Sequence, residues 1–168
     1  ILNPGDEVIV PTPAFGLYEP LVALSSGVYV PMDTCADHFQ ITPQNLAQHI
    51  TAKSKAILLN SPNNPTGAVY TPESLDAVYK EKNLFVLCDD VYAQLVYGPY
   101  QSFSRYQDIR EKIILIQSFS KPYAMTGWRM GYLCADRPVI EQLAKLHSYT
   151  VVSAVSFLQK GCAAALDY

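Results

Sequence analysis

Strand-length apolar runs recur along this chain with helix-patterned segments between them, and that alternation constrains the fold more than any other feature. The runs fall at residues 7–10, 28–31, 56–60, 84–89, 113–117 and 131–134. Several are apolar throughout, as in Leu84-Phe85-Val86-Leu87-Cys88. Such a strand is buried on both faces, the situation in a parallel sheet covered by helices on each side. Helical patterns fall at 17–24, 43–50, 72–82, 138–147 and about 153–166. Two have readable starts: Thr42-Pro43 and Thr71-Pro72 each place a hydroxyl at the N-cap and proline at the first helical position. The expectation is an α/β fold of three layers, with helices on both faces of a mostly parallel sheet.

Composition narrows the partners. A length of 168 residues allows one domain with a real core. Hydrophobic residues at 49% against charged residues at 16% give the balance of a globular chain, not a disordered one. A net charge of −3 with scattered Lys and Arg argues against nucleic acid or an anionic membrane as partner. No apolar run reaches the length of a membrane span, and residues 98–102 read as a surface loop. Cys35, Cys88, Cys134 and Cys162 lie far apart without C-x-x-C spacing, which suits buried free thiols in a reducing cytoplasm. His38, His49 and His147 show no metal-ligand spacing either, so no metal site is expected.

In open α/β sheets, ligands sit outside the carboxyl ends of the strands. Asn63 and Asn64 follow the run that ends at Asn60, Asp89 closes the next, and Ser118 to Lys121 follow the one after. Polar groups from three consecutive strands therefore converge on one sheet edge. Lys121 is the candidate nucleophile, because a neutral amine condenses with an aldehyde to a Schiff base, and the freed amine can then move a proton. Arg129, between Gly127 and Gly131, offers a forked cation for a phosphate, with the glycines allowing close backbone approach. An ion pair with Asp136 is its competing role. Asp89 ends an apolar strand, where a carboxylate calls for a cationic partner such as a pyridinium nitrogen. Tyr92 and Asn64 can each bond a phenolic oxygen. Phe15 can stack on a planar ring or pack in the core, and Tyr18 is assigned to helix packing. Asp90 reads as a helix N-terminal acid or an exposed charge.

In order and spacing, Asn63-Asn64-Pro65-Thr66-Gly67, Asp89-Asp90-Val91-Tyr92, Ser118-Phe119-Ser120-Lys121 and Gly127-Trp128-Arg129-Met130-Gly131 resemble the class I/II aminotransferases, fold-type I enzymes that use pyridoxal phosphate. The resemblance implies that Lys121 bonds the cofactor aldehyde and Asp89 contacts the pyridine nitrogen. It places Tyr92 and Asn64 at the ring oxygen, Ser118, Ser120 and Arg129 at the phosphate, and Phe15 against the ring. The implied reaction moves an amino group between an amino acid and a 2-oxo acid. A carbon–sulfur β-lyase of the same fold, or the aminotransferase-like effector domain of a transcriptional regulator, would share these residues. The implied architecture is the central part of the large domain, six of its seven strands over residues 1–168. An N-terminal segment with a phosphate-binding turn, and a C-terminal small domain with the arginine that grips the substrate carboxylate, are expected to lie outside it. Positioning supplies roughly 7–11 kcal/mol of barrier lowering, so a fragment lacking that grip is expected to be inactive or nearly so. The last helix is expected to continue through Tyr168, and the parent enzyme to be a homodimer.

Overall fold

In the computed structural model, which describes residues 1–167, a six-stranded sheet runs in the order β2-β1-β3-β4-β5-β6. The strands are β1 (Glu7–Thr12), β2 (Val28–Asp33), β3 (Ser54–Asn60), β4 (Phe85–Asp89), β5 (Ile113–Ser118) and β6 (Gly131–Cys134). The first five are parallel, and β6 pairs antiparallel with β5. The helices are α1 (Tyr18–Leu24), α2 (Pro43–His49), α3 (Pro72–Tyr79), α4 (Arg137–Thr150) and α5 (Ser156–Leu166). Every expected element is present. Helix α5, expected to continue through Tyr168, ends at Leu166 with Asp167 as its C-cap, and Tyr168 itself lies outside the described residues.

Local chemistry accounts for the helix starts. Thr42 Oγ1 accepts from the Asn45 N–H at 3.2 Å, and Thr71 Oγ1 from the Ser74 N–H at 3.3 Å, with proline following each cap. Helix α3 stops at Tyr79 instead of reaching Lys82, because the chain turns there to deliver Leu84 to the core: the Leu84 N–H bonds the Glu81 carbonyl at 3.0 Å.

Side-chain alternation divides the core between the two faces of the sheet. Val8 and Val10 of β1 pack with Tyr18 and Val22 of α1, while Ile9 between them packs with Leu46 of α2 and Leu75 and Val78 of α3. Ile9 and Ile57 are fully buried, each contributing about 1.5–3 kcal/mol relative to an exposed side chain. These are the three expected layers. The α1 face is less closed: α4 buries none of its residues, and Leu21, Leu58, Leu87, Ile116, Leu143 and Leu146 line an open apolar groove of about 550 Å³. At the sheet's edge, all of β6 is exposed.

The winding places the functional cleft. From β1 the chain crosses through α1 on one face to β2. From β2 it returns through α2 on the other face to β3, on the opposite side of β1. The connections leaving β1 and β3 diverge, and a crevice opens at the carboxyl ends of the strands where they part.

Candidate active site

Four strand ends furnish the crevice. After β1 comes Phe15, then Tyr18 at the first position of α1; β3 contributes Asn60 and, beyond it, Asn64. Asp89 closes β4 and is followed by Tyr92. Ser118 closes β5 and leads into Ser120, Lys121, Thr126 and Arg129. All of these line one cleft of about 300 Å³. Every residue that the resemblance assigns to the cofactor therefore lines it: Phe15, Asn64, Asp89, Tyr92, Ser118, Ser120, Lys121 and Arg129. A larger depression of about 540 Å³ lies against the 63–67 turn and shares Asn64 and Tyr92, but no charged side chain lines it. The charged side chains Asp89, Lys121 and Arg129 line the smaller cleft.

The 63–67 turn is built by Asn63. Its Oδ1 accepts from the Thr66 N–H and hydroxyl at 3.1 and 2.8 Å, and its carbonyl accepts from Gly67, which has a φ of 73° that glycine tolerates at no cost. The turn carries Asn64 toward Tyr92, with Asn64 Nδ2 at 3.4 Å from the Tyr92 hydroxyl. Lys121 Nζ lies 5.7 Å from the centroid of the same tyrosine ring, within range of a cation–π contact. Asn64, Tyr92 and Lys121 thus form one polar wall.

Asp89 is half-buried. Its Oδ2 accepts from the Tyr18 hydroxyl at 2.6 Å, and among the described residues its Oδ1 receives only a 3.4 Å approach from the Val91 N–H. Burial, and next the negative charge of Asp89, hold the Tyr18 phenol well above the ordinary tyrosine range, so it remains a neutral donor. Tyr18 was assigned to helix packing from the sequence; it does pack there, but its hydroxyl also belongs to the site.

Arg129 sits in the left-handed region at φ 56°, closing the short 3-10 turn Thr126–Trp128. Its Nη1 donates to the Thr126 carbonyl at 2.9 Å. The competing partner, Asp136, is instead paired with Arg110 at 3.3 Å, and among the described residues Arg129 makes no salt bridge. An exposed cation without a carboxylate faces the cleft beside the Ser118 and Ser120 hydroxyls. The two glycines differ from expectation. A Cβ on Gly131 would lie 2.8 Å from the Gln117 carbonyl oxygen, so β5–β6 pairing is what requires glycine there; one on Gly127 would meet nothing.

Asp90 also departs from the sequence reading. It is buried, with only 3% exposure, and points away from the cleft to accept from the Ser102 hydroxyl at 2.7 Å. Burial raises its pKa, partly offset by that bond. The Tyr100 hydroxyl lies close enough to feel this charge yet makes no well-formed hydrogen bond. Asp90 anchors the loop of residues 98–105. The thiols are free as expected, but only Cys88 and Cys162 are buried, while Cys35 and Cys134 are exposed. Among the described residues no helix is long and apolar enough to cross a membrane.

Sequence reasoning passed over Asn60, Tyr18 and Thr126. Asn60 Nδ2 donates to the Asp89 carbonyl at 2.9 Å and Oδ1 accepts from the Asn64 N–H at 2.8 Å. Its signal was present: an asparagine closing an apolar strand must find partners. Thr126 Oγ1 donates to the Ser120 carbonyl at 2.8 Å and ties the lysine loop to the arginine turn.

Comparison with known proteins gives the family. The sequence model described as "Aminotransferase class I and II" matches residues 1–168. The putative aminotransferase YugH of Bacillus subtilis is 39% identical over 164 residues, covering 95% of this chain and 42% of that protein. An aspartate aminotransferase of Musicola paradisiaca is 38% identical over 172 residues, covering 99% of this chain and 43% of that protein. The crystal structure of the aromatic aminotransferase from Pyrococcus horikoshii superposes with a TM-score of 0.96 at 37% identity, covering 100% of this chain and 47% of that one. The chain thus spans less than half the length of the relatives it matches. On fold and sequence, this chain belongs to the class I and II aminotransferase family.

Proposed function

We propose that this chain forms the cofactor-binding part of an enzyme that moves an amino group between an amino acid and a 2-oxo acid. The observation that carries the reading is the meeting in a single cleft of one amine, one carboxylate and one guanidinium, Lys121, Asp89 and Arg129, the last without a carboxylate partner among the described residues. Members of the family use pyridoxal phosphate. When bound, that group supplies an aldehyde for an amine and a ring that draws electrons from an adjoining carbon.

The donor set fits such a group. Arg129 and the Ser118 and Ser120 hydroxyls suit a phosphate, as forked cation and neutral donors. Asp89 offers a carboxylate oxygen with little competition for a ring N–H. Asn64 and Tyr92, already within 3.4 Å of each other, suit one shared oxygen between them. Phe15, 42% exposed at the cleft, offers an aromatic face to the ring. Lys121 holds the aldehyde end and, when its amine is free and neutral, takes the proton from the substrate α-carbon.

Residues 1–168 correspond to the central part of a large domain. The remainder of a longer protein would supply the grip on the substrate carboxylate, and a second subunit would complete a dimer. The aminotransferase names of the relatives favour amino transfer over the carbon–sulfur lyase and regulator readings. The test is the visible absorption of the protein mixed with pyridoxal phosphate, beside Lys121→Ala. A band present only with Lys121, and removed by borohydride reduction, is expected. Identical spectra from the two proteins overturn the reading.

A further inference from the structure

Asp89 is held in two separate ways. Its backbone carbonyl is fixed by Asn60, and its side chain by a tyrosine far away in sequence, at the start of α1. Tyr18 is 7% exposed, sits among Val8, Val10, Val22 and Leu58, and meets Phe15 edge-on with centroids 5.7 Å apart. Packing alone explains a phenylalanine at this position. It does not explain a hydroxyl delivered at 2.6 Å to a carboxylate at the floor of the cleft.

We propose that Tyr18 is a positioning residue for Asp89: its phenol engages Oδ2 and so turns Oδ1 toward the nitrogen of the bound cofactor ring. The inference rests on the pyridoxal phosphate reading and adds a residue to it. Two features of the donor suit the task. A carboxylate can rotate about its Cβ–Cγ bond, and one hydrogen bond to Oδ2 removes that freedom without covering Oδ1, whose one donor among the described residues lies at 3.4 Å. The donor is also neutral and stays so, since burial and the Asp89 charge oppose its ionisation. A lysine or arginine in its place would neutralise the carboxylate and compete with the ring N–H for it. A phenol orients the charge and leaves it available.

The experiment is a double-mutant cycle on cofactor affinity, with Tyr18→Phe, Asp89→Asn and the double variant titrated with pyridoxal phosphate by absorption. Tyr18→Phe keeps the ring and its packing, so the fold is preserved; a cooperative urea transition with the parent's slope checks this. The expected result is affinity weakened about tenfold by Tyr18→Phe in the parent background and unchanged by it in the Asp89→Asn background. A shift in the pH midpoint of the cofactor band should accompany the first effect. Equal weakening in both backgrounds, or none in either, overturns the positioning role while leaving the cofactor reading intact. No Lys121-dependent band in the parent protein overturns both. The contact is also testable without cofactor: the Tyr18 hydroxyl proton should be slow to exchange by NMR and fast in Asp89→Asn. Fast exchange in the parent sinks the proposal.

Discussion

Asn60 and Asp89 are register partners on neighbouring parallel strands, and the Asn60 side chain fixes both the Asp89 carbonyl and the Asn64 backbone N–H. One buried amide thus sets the separation between two walls of the cleft. Removing it in Asn60→Ala leaves a carbonyl and an N–H without partners, a loss of about 1–3 kcal/mol. Asn60→Asp keeps the acceptor for Asn64 but turns the donor into an oxygen facing the Asp89 carbonyl, so its loss should be larger. Urea unfolding of the two variants checks the order. Alanine more disruptive than aspartate would contradict it.

Burial of Asp90 makes the protein's stability depend on pH. Its folded pKa is raised by burial, so the folded state holds this proton more tightly than the unfolded chain does. Stability from this group is therefore greatest below the unfolded carboxylate pKa and falls as pH rises through the folded one. Asp90→Asn retains an acceptor for the Ser102 hydroxyl and removes the charge. The variant should lose this part of the pH slope and be at least as stable as the parent at neutral pH. Asp90→Ala should instead release the 98–105 loop, seen as faster amide exchange there. Denaturant midpoints measured from pH 4 to pH 8 separate the two.

The contrast between Asp89 and Asp90 shows what the chain's local pattern can and cannot reveal. Strand type, the two threonine caps and the site's edge of the sheet all follow from short-range regularities: apolar runs, Thr-Pro starts and polar residues where strands end. Adjacent carboxylates at the end of one strand look alike on those terms. Side-chain alternation sends Asp89 to the cleft and Asp90 under the 98–105 loop, and the partners that decide their roles are Tyr18 and Ser102. Tyr18 reaches Asp89 only because a single strand, β3, separates β1 from β4 in the sheet, a tertiary fact with no local signature. Gly131 carries a similar lesson, since its need for glycine comes from the facing strand and not from the arginine nearby.

That facing strand makes Gly131→Ala a test of how the cleft's last wall is held. The new Cβ would sit 2.8 Å from the Gln117 carbonyl oxygen, a backbone atom that cannot swing aside. Strand β6 must shift outward, at a cost of about 1–3 kcal/mol. Ser118 is the register partner of Gly131, and the Phe119 N–H bonds the Met130 carbonyl at 3.2 Å, so the shift should reach the lysine loop. Lower stability with weaker cofactor binding is expected. Gly127→Ala, where a Cβ meets nothing, should bind as the parent does.

Arg129 provides the sharpest test of phosphate recognition, because the comparison can be made on the ligand rather than the protein. Its guanidinium has no carboxylate partner among the described residues, and only one of its donors is engaged, with the Thr126 carbonyl. Charge-assisted bonds to a phosphate are worth about 1.5–3 kcal/mol, or roughly 10- to 150-fold in affinity. The parent should therefore prefer pyridoxal phosphate to pyridoxal, and Arg129→Ala should reduce that preference by about this factor. Arg129→Lys keeps the charge without the fork and should fall between them. Lys121→Ala should weaken both ligands together and leave their ratio nearly unchanged, since its amine meets the aldehyde that both possess. Added salt should erode the parent's preference and leave that of Arg129→Ala almost flat. A ratio that survives in Arg129→Ala would remove the guanidinium from the phosphate site and leave Ser118 and Ser120 as the groups to test next.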